Sequence, residues 1–557
     1  MPTTEYGVDQ FFQNSGTSPK MVYDVAGTLG WSPHNTILQS ENLQASWTFI
    51  GATAPTATFL LPDTGNTSHR VMATSTTAVI GDTWTHSAIV SAGGYSKVGF
   101  LEAGTNFVDV AFDLNAGTKI YQGTVGNGTI TSLGGGLYLI TTTIVVATAS
   151  FRVYLYVLPD SYTTGAFPVW VPDGVKGINI FRSQANRGSV PTAYLPTTTA
   201  ARFGLALDYD PVTHAARGLL CEPAATNLQK GTATLADAAI WLISAATMPS
   251  AGVAPTGGAA FALTEDTATA GHSTIQVNGQ GALLSAGTVY TLSGYVKANG
   301  RTRFRLFGGV AFTNFVVFFD LTTGTFDNVS GGIAPSFRIN PAGNGWYRWE
   351  ATDQAATTQA RPSFDLCSGG TNVNYAGNGT SGVYIWNHMQ VETGTVATSP
   401  IPTFAASATR AADQYNITPA SIGYSATAGS WWIEHYPLNI SASNPRMWLN
   451  AAGTAYLGVS AANIYLMNDG TSLNKTVGTL MNGSPHKVAM AFQSADRAIT
   501  GDGLAIATDT GQTTNFLSPG ASIIFGGTGG TVTHGYFRKL RYVPRRKTNT
   551  ELVTETT

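Results

Sequence analysis

One passage of this chain is written twice, and that duplication limits the folds open to it more than any other feature. Residues 188–227 read GSVPTAYLPTTTAARFGLALDYDPVTHAARGLLCEPAATN, and the first part returns as GTVATSPIPTFAASATRAAD from Gly394. The second part has a shorter counterpart near the start, YDVAGTLGWSPHN at 23–35, so the passage closes one module and opens the next. Asn35 answers Asn227 at an offset of 192, and Pro196 answers Pro402 at an offset of 206. Between these landmarks Trp47 matches Trp241, SHRV matches GHSTIQV, and FVDVAFDLNAGT matches FVVFFDLTTGT. GGGLYLITTTI then faces GNGWYRWEAT, and GINIFRSQ faces GVYIWNHMQ. A long period of this kind marks two copies of one module.

The modules are β. YSKVGFL places Tyr95, Lys97 and Gly99 on one face and Val98 and Phe100 on the other, and FVDVAFDL alternates in the same way before an Asn-Ala-Gly turn. The β-branched run ITTTIVVATASFRVYLYVL reads as a hairpin interrupted at 147–150. In WYRW, alternation sends Trp346 and Arg348 one way and Tyr347 and Trp349 the other. No segment sustains a helical stripe over three turns. The expected class is all-β, with tandem antiparallel jelly-roll sandwiches followed by a third, different sandwich. The expected divisions are a leading segment 1–30, a first jelly roll 31–199, a second jelly roll 200–410 and a terminal sandwich 411–557. Thr548 and Glu551 fit a capping box that opens a short final helix.

Composition narrows function. With 557 residues, 11% of them charged, and a net charge of −2, the chain has no basic excess to neutralise a phosphate backbone, so nucleic acid is not an expected partner. No apolar run approaches the roughly 20 residues of a spanning helix, and the start, MPTTEYGVDQFF, has no signal-peptide pattern. The chain is expected to be made in a cytoplasm and not to insert in a membrane. Its two cysteines, Cys221 and Cys367, stand outside any metal-ligand spacing and read as buried thiols.

The phrases YDPVTHAARGLLCEPAATN, LTEDTATAGHS, GYVKA, FDLTTGT, GNGWYR and VYIWNHMQVETGTVATSPIPT…ATRAAD resemble a module common in structural proteins of tailed bacteriophages and prophages. That module is similar to the jelly-roll carbohydrate-binding modules of polysaccharide-degrading enzymes. The first copy is looser, lacking the GLL-E-P opening and carrying Phe181 where the second has Trp386. The C-terminal part resembles the concanavalin-A-like or laminin-G-like sandwich, most specifically in its Pro-Arg-Arg, Thr-x-x-Glu-Leu ending. The resemblance implies a tail fibre, head fibre or spike on a virion or gene-transfer-agent particle. Its ligand would be host surface polysaccharide, its other partners portal, capsid or tail proteins reached through residues 1–30, and its state a homo-oligomer. The alternatives are a capsid-decoration or fibre-shaft protein that binds no sugar and, behind it, a glycan-cleaving tailspike.

Aromatic rings stack on the apolar faces of sugars while amides, carboxylates and guanidiniums bond the hydroxyls. Candidate rings are Trp84, Tyr95, Tyr162 and Trp170 in the first module, Trp346, Tyr347 and Trp349 in the second, and Trp431, Trp432, Tyr436, Trp448 and Tyr465 in the third. Of these Trp170, Trp84, Tyr162, Trp349, Trp432 and Tyr465 are taken as the glycan-binding set. Trp170, between prolines, is the ring expected to be exposed, and most of the others are expected in the core. Catalysis is not expected. Asp113 and Asp320 recur where FDL meets a glycine turn, which fits a turn cap better than an acid catalyst. The row Arg301, Arg303, Arg305 reads as a solvated outer face. No cofactor is expected beyond a structural calcium at Glu265 and Asp266, which modules of this kind can carry near that loop.

Overall fold

The structure is a computed structural model. It describes residues 13–557 except 15, 74, 104–107, 124–126, 314, 333–336, 440–443, 450–453, 462, 481–482, 512 and 529–530. The described chain forms two compact units: Trp31–Gly204, and the leading segment joined to Leu205–Thr557. Among the described residues no helix is long and apolar enough to cross a membrane.

The first unit is a sandwich of two antiparallel sheets. One runs, in spatial order, Asn127–Gly134, Leu137–Val145, Thr83–Gly93, Gly177–Arg187, Phe59–Pro62 and Ala52–Thr56. The other runs Thr118–Gln122, Val108–Asp113, Lys97–Ala103, Ser150–Leu158, Arg70–Met72 and Thr48–Ile50, with Thr76–Thr77 also on Ser150–Leu158. Alternation decides the faces: Val98, Phe100, Val110, Phe112, Val153 and Leu155 point inward to the core, while Lys97 and Gly99 point out; Tyr95 does not share their face, because it precedes the strand and turns into the core. The run 140–158 is not a hairpin. Leu137–Val145 and Ser150–Leu158 lie in opposite sheets, because both strands put apolar side chains such as Ile144 and Phe151 into one core, which pairing in a single sheet would not require.

Within the second unit the second jelly roll repeats this topology along both sheet paths, with Ser250–Val253 added beside Ala259–Glu265. Its sheets run Phe337–Pro341, Trp346–Gln354, Val289–Asn299, Gly382–Thr393, Ala259–Glu265 and Ala246–Thr247, and Thr325–Ser330, Val316–Asp320, Arg303–Phe307, Ser363–Leu366, Ser273–Gln276 and Trp241–Ser244. The duplicated landmarks do the same work in both copies. Thr85 donates to the carbonyl of Gly188 at 2.8 Å, and Thr291 to that of Gly394 at 2.8 Å. Trp47 Nε1 donates to Gln39, and Trp241 Nε1 to Gly231. Asp113 accepts from the amides of Asn115 and Ala116, and Asp320 from those of Thr322 and Thr323, so both carboxylates cap turns.

The third sandwich has a sheet built from Gln13–Asn14, Tyr415–Ile417, Ile523–Phe525, Asn444–Trp448, Ala455–Ala461, Ile464–Asp469 and Ser472–Thr476. The second sheet runs Leu207–Tyr209, Ala216–Cys221, His534–Val543, Ala428–Asn439, His486–Gln493, Asp496–Gly501 and Ala507–Asp509. Two boundaries expected from sequence therefore move. The GLLC strand belongs to the terminal sandwich, pairing with Gly535, Tyr536 and Phe537, because Leu219 and Cys221 complete that sandwich's core. Residues 13–30 are not a detached attachment segment, since Gln13–Asn14 extends a sheet and Tyr23 is buried against the same unit. Met1–Phe12, with Tyr6, Phe11 and Phe12, lie outside the described residues. Thr548 and Glu551 form the capping box of helix Asn549–Thr556, whose Leu552 packs beside Trp432.

Candidate functional site

Four of the six rings chosen from sequence are spent inside the fold, while Tyr162 is covered on an outer face and Trp170 is half-buried. Trp349 and Tyr465 are fully buried, and Trp84, Tyr162 and Trp432 are nearly so. Trp349 stands in the second core beside Phe304, and Tyr465 in the third, its hydroxyl 2.7 Å from His435 Nε2. Trp432 donates to the carbonyl of Glu555 under the terminal helix. Trp84 packs edge-on against Phe151. Trp170 is half-buried, because the loop that carries it is tied down: its amide donates to Thr67, its carbonyl meets His69 Nε2 at 2.9 Å, and its ring meets the edges of Tyr95 and His69. Tyr375 holds the matching place in the second copy, with its carbonyl 3.1 Å from His272. The side chain of Trp448 lies outside the described residues.

Glu265 is not placed to hold calcium. Its carboxylate accepts from Arg301 Nε at 2.7 Å, Arg301 Nη2 at 2.5 Å, Tyr375 Oη at 2.7 Å and the amide of Asn378 at 2.9 Å, and these bonds hold its pKa below the ordinary value despite burial. Asp266 caps the amide of Ala268 and lies 3.6 Å from His272. A buried carboxylate whose lone pairs are all taken by a bidentate guanidinium, a phenol and an amide has none left for a cation.

What the fold does assemble is an aromatic belt on the outside of the first sandwich. Tyr154 and Tyr156 project outward from Ser150–Leu158, Tyr121 comes from Thr118–Gln122, and Tyr162 and Phe167 arrive from the loop that follows Leu158. The rings touch in sequence: Tyr154 to Tyr156 at 6.5 Å between centroids, Tyr156 to Phe167 at 4.9 Å, Phe167 to Tyr162 at 5.9 Å, and Tyr162 to Tyr121 at 6.4 Å. These spacings are those of interacting aromatic pairs. Tyr156 and Tyr162 are buried and form the bed, while Tyr154, Tyr121 and Phe167 are half-exposed. Phe167 can close on the sheet because Gly99 is beneath it; a β-carbon there would stand 2.5 Å from the ring.

Polar groups border the belt. The Arg70 guanidinium lies 5.3 Å from the Tyr154 centroid and 5.2 Å from that of Tyr156, and donates to the Tyr156 hydroxyl at 2.6 Å. Arg152 is exposed at one end, and Asp109 stands beside the Tyr121 hydroxyl at the other. Burial raises the phenols of Tyr121, Tyr156 and Tyr162, so each remains a neutral donor and acceptor. Lys97 Nζ fixes the loop by donating to the carbonyl of Tyr162 at 2.6 Å. Half-exposed rings with hydroxyls, guanidiniums and a carboxylate at their margins can hold a ligand that has both apolar faces and hydroxyl groups.

The second sandwich presents different chemistry on the equivalent face. Lys97 and Asp113 correspond to Arg303 and Asp320, an ion pair kept in both copies at 4.0 and 3.4 Å. Where the first copy has Gly99 beside Tyr156, the second has Arg305 beside Asp365, 3.0 Å apart. The arginine row is a face of paired charges. Sequence reasoning singled out Tyr162 and passed over its neighbours. The signal available was Arg152, Tyr154 and Tyr156 at period two on one strand; the folding back of Phe167 had none.

No family model matches the chain, and no curated protein sequence matches it. Among solved structures, the CBM40 of Ruminococcus gnavus IT-sialidase bound to alpha2,3 sialyllactose is 17% identical, covers 25% of this chain and 86% of its own, and has a TM-score of 0.22. The CBM22-1-CBM22-2 tandem of Paenibacillus barcinonensis Xyn10C is 11% identical, covers 65% of this chain and 99% of its own, at a TM-score of 0.21. Domains LG4-5 of the mouse laminin alpha1 chain are 10% identical, covering 58% and 88%, at 0.17. The fold of this chain stands on the sheet orders and registers above.

Proposed function

We propose that this protein is an adhesin that binds polysaccharide through the outer aromatic belt of its first sandwich and leaves the polysaccharide uncut. The observation that supports the reading is the run of five rings on one sheet face, three of them half-exposed, set at the position where the sister sandwich carries ion pairs. Outward carboxylates at this face have other engagements: Asp113 caps its turn, and Asp109 sits at Tyr121. Binding rather than hydrolysis suits that arrangement. The resemblance of its phrases to those of phage structural proteins supports the rest of the proposal, a fibre or spike on a virion surface, homo-oligomeric, with host surface polysaccharide as its ligand. Weak sites repeated over subunits then act together through high effective concentration.

The test is binding of the full-length protein to capsule-bearing host cells and to capsule-deficient mutants of the same strain, with a Tyr121→Ala, Tyr154→Ala double variant alongside. Capsule-dependent binding that the double variant loses supports the proposal. Equal absence of binding to both cell types, with the protein folded, overturns it. A loss of oligomeric mass in the double variant would assign the belt to subunit contact, the structural alternative.

A further inference from the structure

The second unit contains a cleft of about 750 Å³ between its two sandwiches. One wall is the outer face of the terminal sandwich, with Tyr436, Tyr536 and Arg538; the other is the outer face of the second jelly roll, with Arg338, Asn340 and Arg348. The opening turn of the GLLC strand, with Asp208, Asp210 and Arg217, closes one end. This volume falls in the range of small-molecule sites, about 300–1,000 Å³.

Three of the cleft's four guanidiniums already pair with carboxylates, and its carboxylate Glu222 pairs with Arg410. Arg217 lies 3.0 Å from Asp210 and 3.5 Å from Asp208, Arg338 lies 3.6 Å from Glu350, and Arg538 lies 2.9 Å from Glu434. Arg348 donates to the carbonyl of Thr398. An anionic ligand would compete with a carboxylate at the first three guanidiniums, and a cationic one with a guanidinium at every carboxylate. An uncharged ligand displaces neither. Arginine has five N–H donors and a carboxylate about four acceptor sites, so pairs held by one or two contacts keep capacity for hydroxyl groups. Arg217, Arg338 and Arg538 are each about a third exposed and can offer it. Between them lie the half-buried Tyr436 ring and the exposed Val212, Pro341 and Pro485, which suit the C–H faces of a pyranose.

We propose that this cleft is a second binding site, for an uncharged oligosaccharide segment. It shares no residue with the aromatic belt and does not depend on it. Affinity electrophoresis of the full chain through gels containing dextran, xylan or mannan, and separately polygalacturonate or alginate, tests it. Asn340, exposed at the mouth, is changed to Trp to fill the entrance without disturbing the core; Tyr436→Ala removes the ring; Tyr121→Ala with Tyr154→Ala removes the belt. The expected result is retardation by at least one uncharged polysaccharide, weakened about tenfold or more by Asn340→Trp and by Tyr436→Ala, with a component that survives loss of the belt. Retardation by no uncharged polysaccharide, by acidic ones alone, or to the same degree in both cleft variants overturns the proposal. If the belt variant alone abolishes retardation, the belt stands and the cleft falls; the converse pattern reverses that.

Discussion

The side-chain amide of Asn227 donates to the carbonyl of Ile401 at 2.8 Å, so the residue that opens the second jelly roll clamps the phrase that closes it. Its Oδ1 accepts from the amides of Gln229 and Val391. Asn35 makes the same set in the first copy, donating to Leu195 at 2.9 Å and accepting from Ile37 and Ala185. Each jelly roll ties its own ends with one asparagine.

Replacing Asn227 by alanine leaves three buried backbone groups without their partner. At about 1–3 kcal/mol for each unsatisfied group, Asn227→Ala is expected to destabilise the second unit by about 3 kcal/mol or more. Denaturant unfolding followed by tryptophan fluorescence checks it, and Asn35→Ala is expected to do the same to the first unit.

Lys20 anchors the leading segment in the second unit. Its ammonium contacts Asp413 and donates to the carbonyl of Leu220 at 2.9 Å, beside Glu222 and Arg410, which pair at 2.7 Å, all of them buried. Breaking a buried ionic cluster by deleting one member costs about 3–5 kcal/mol. Lys20→Met is expected to release 13–30, read as cleavage in that segment during brief proteolysis that leaves the intact protein uncut.

His86 and His388 are buried, and none of their ring nitrogens has a partner among the described residues. Burial lowers both imidazoles to about 3, against an ordinary value of 6.5. The unfolded chain therefore binds more protons between these values, so the stability present above pH 6.5 is lost as pH falls toward 3. His86→Phe and His388→Phe are expected to flatten the acid side of the Tm–pH curve of their own units.

Glu102 is buried on a strand of the first sandwich, and desolvation raises its carboxyl to about 7. The folded state holds the proton that the unfolded state releases between 4.5 and 7, so stability falls as pH rises through that interval. Glu102→Gln is expected to raise Tm by about 2–6 °C at pH 8 and to change it little at pH 4.

Gly99 is expected to control the belt from beneath. A β-carbon at this position would stand 2.5 Å from the Phe167 ring, which must then lift off the sheet. Gly99→Ala should weaken polysaccharide binding about tenfold while the sheet, whose backbone is extended there, keeps its circular dichroism spectrum.

Much of the scaffold was legible because it is local. Period-two alternation assigned the faces of Lys97–Ala103 and Trp346–Gln354, turn chemistry placed Asp113 and Asp320, and the Thr548–Glu551 spacing marked the last helix. The duplicated phrases located two modules of one topology, since matched landmarks in one order require matched strands.

The candidate sites were not legible in this way. A tryptophan's type says that it will bury area, and Trp84, Trp349 and Trp432 do so in cores or under a helix, where no sugar reaches them. Which rings remain outside depends on which strands become neighbours: Tyr121 and Tyr154 meet one belt across the sheet only because Val108–Asp113 and Lys97–Ala103 lie between their strands, and Phe167 joins it because Gly99 leaves room. The same holds for the GLLC strand, written beside the second module and paired in the third. By itself the sequence determined periodicity, turns, caps and the repeat, all set by interactions between residues a few positions apart or by pattern. Strand neighbours, the belt and the cleft were decided only by tertiary packing, because they depend on long-range burial that no local spacing encodes.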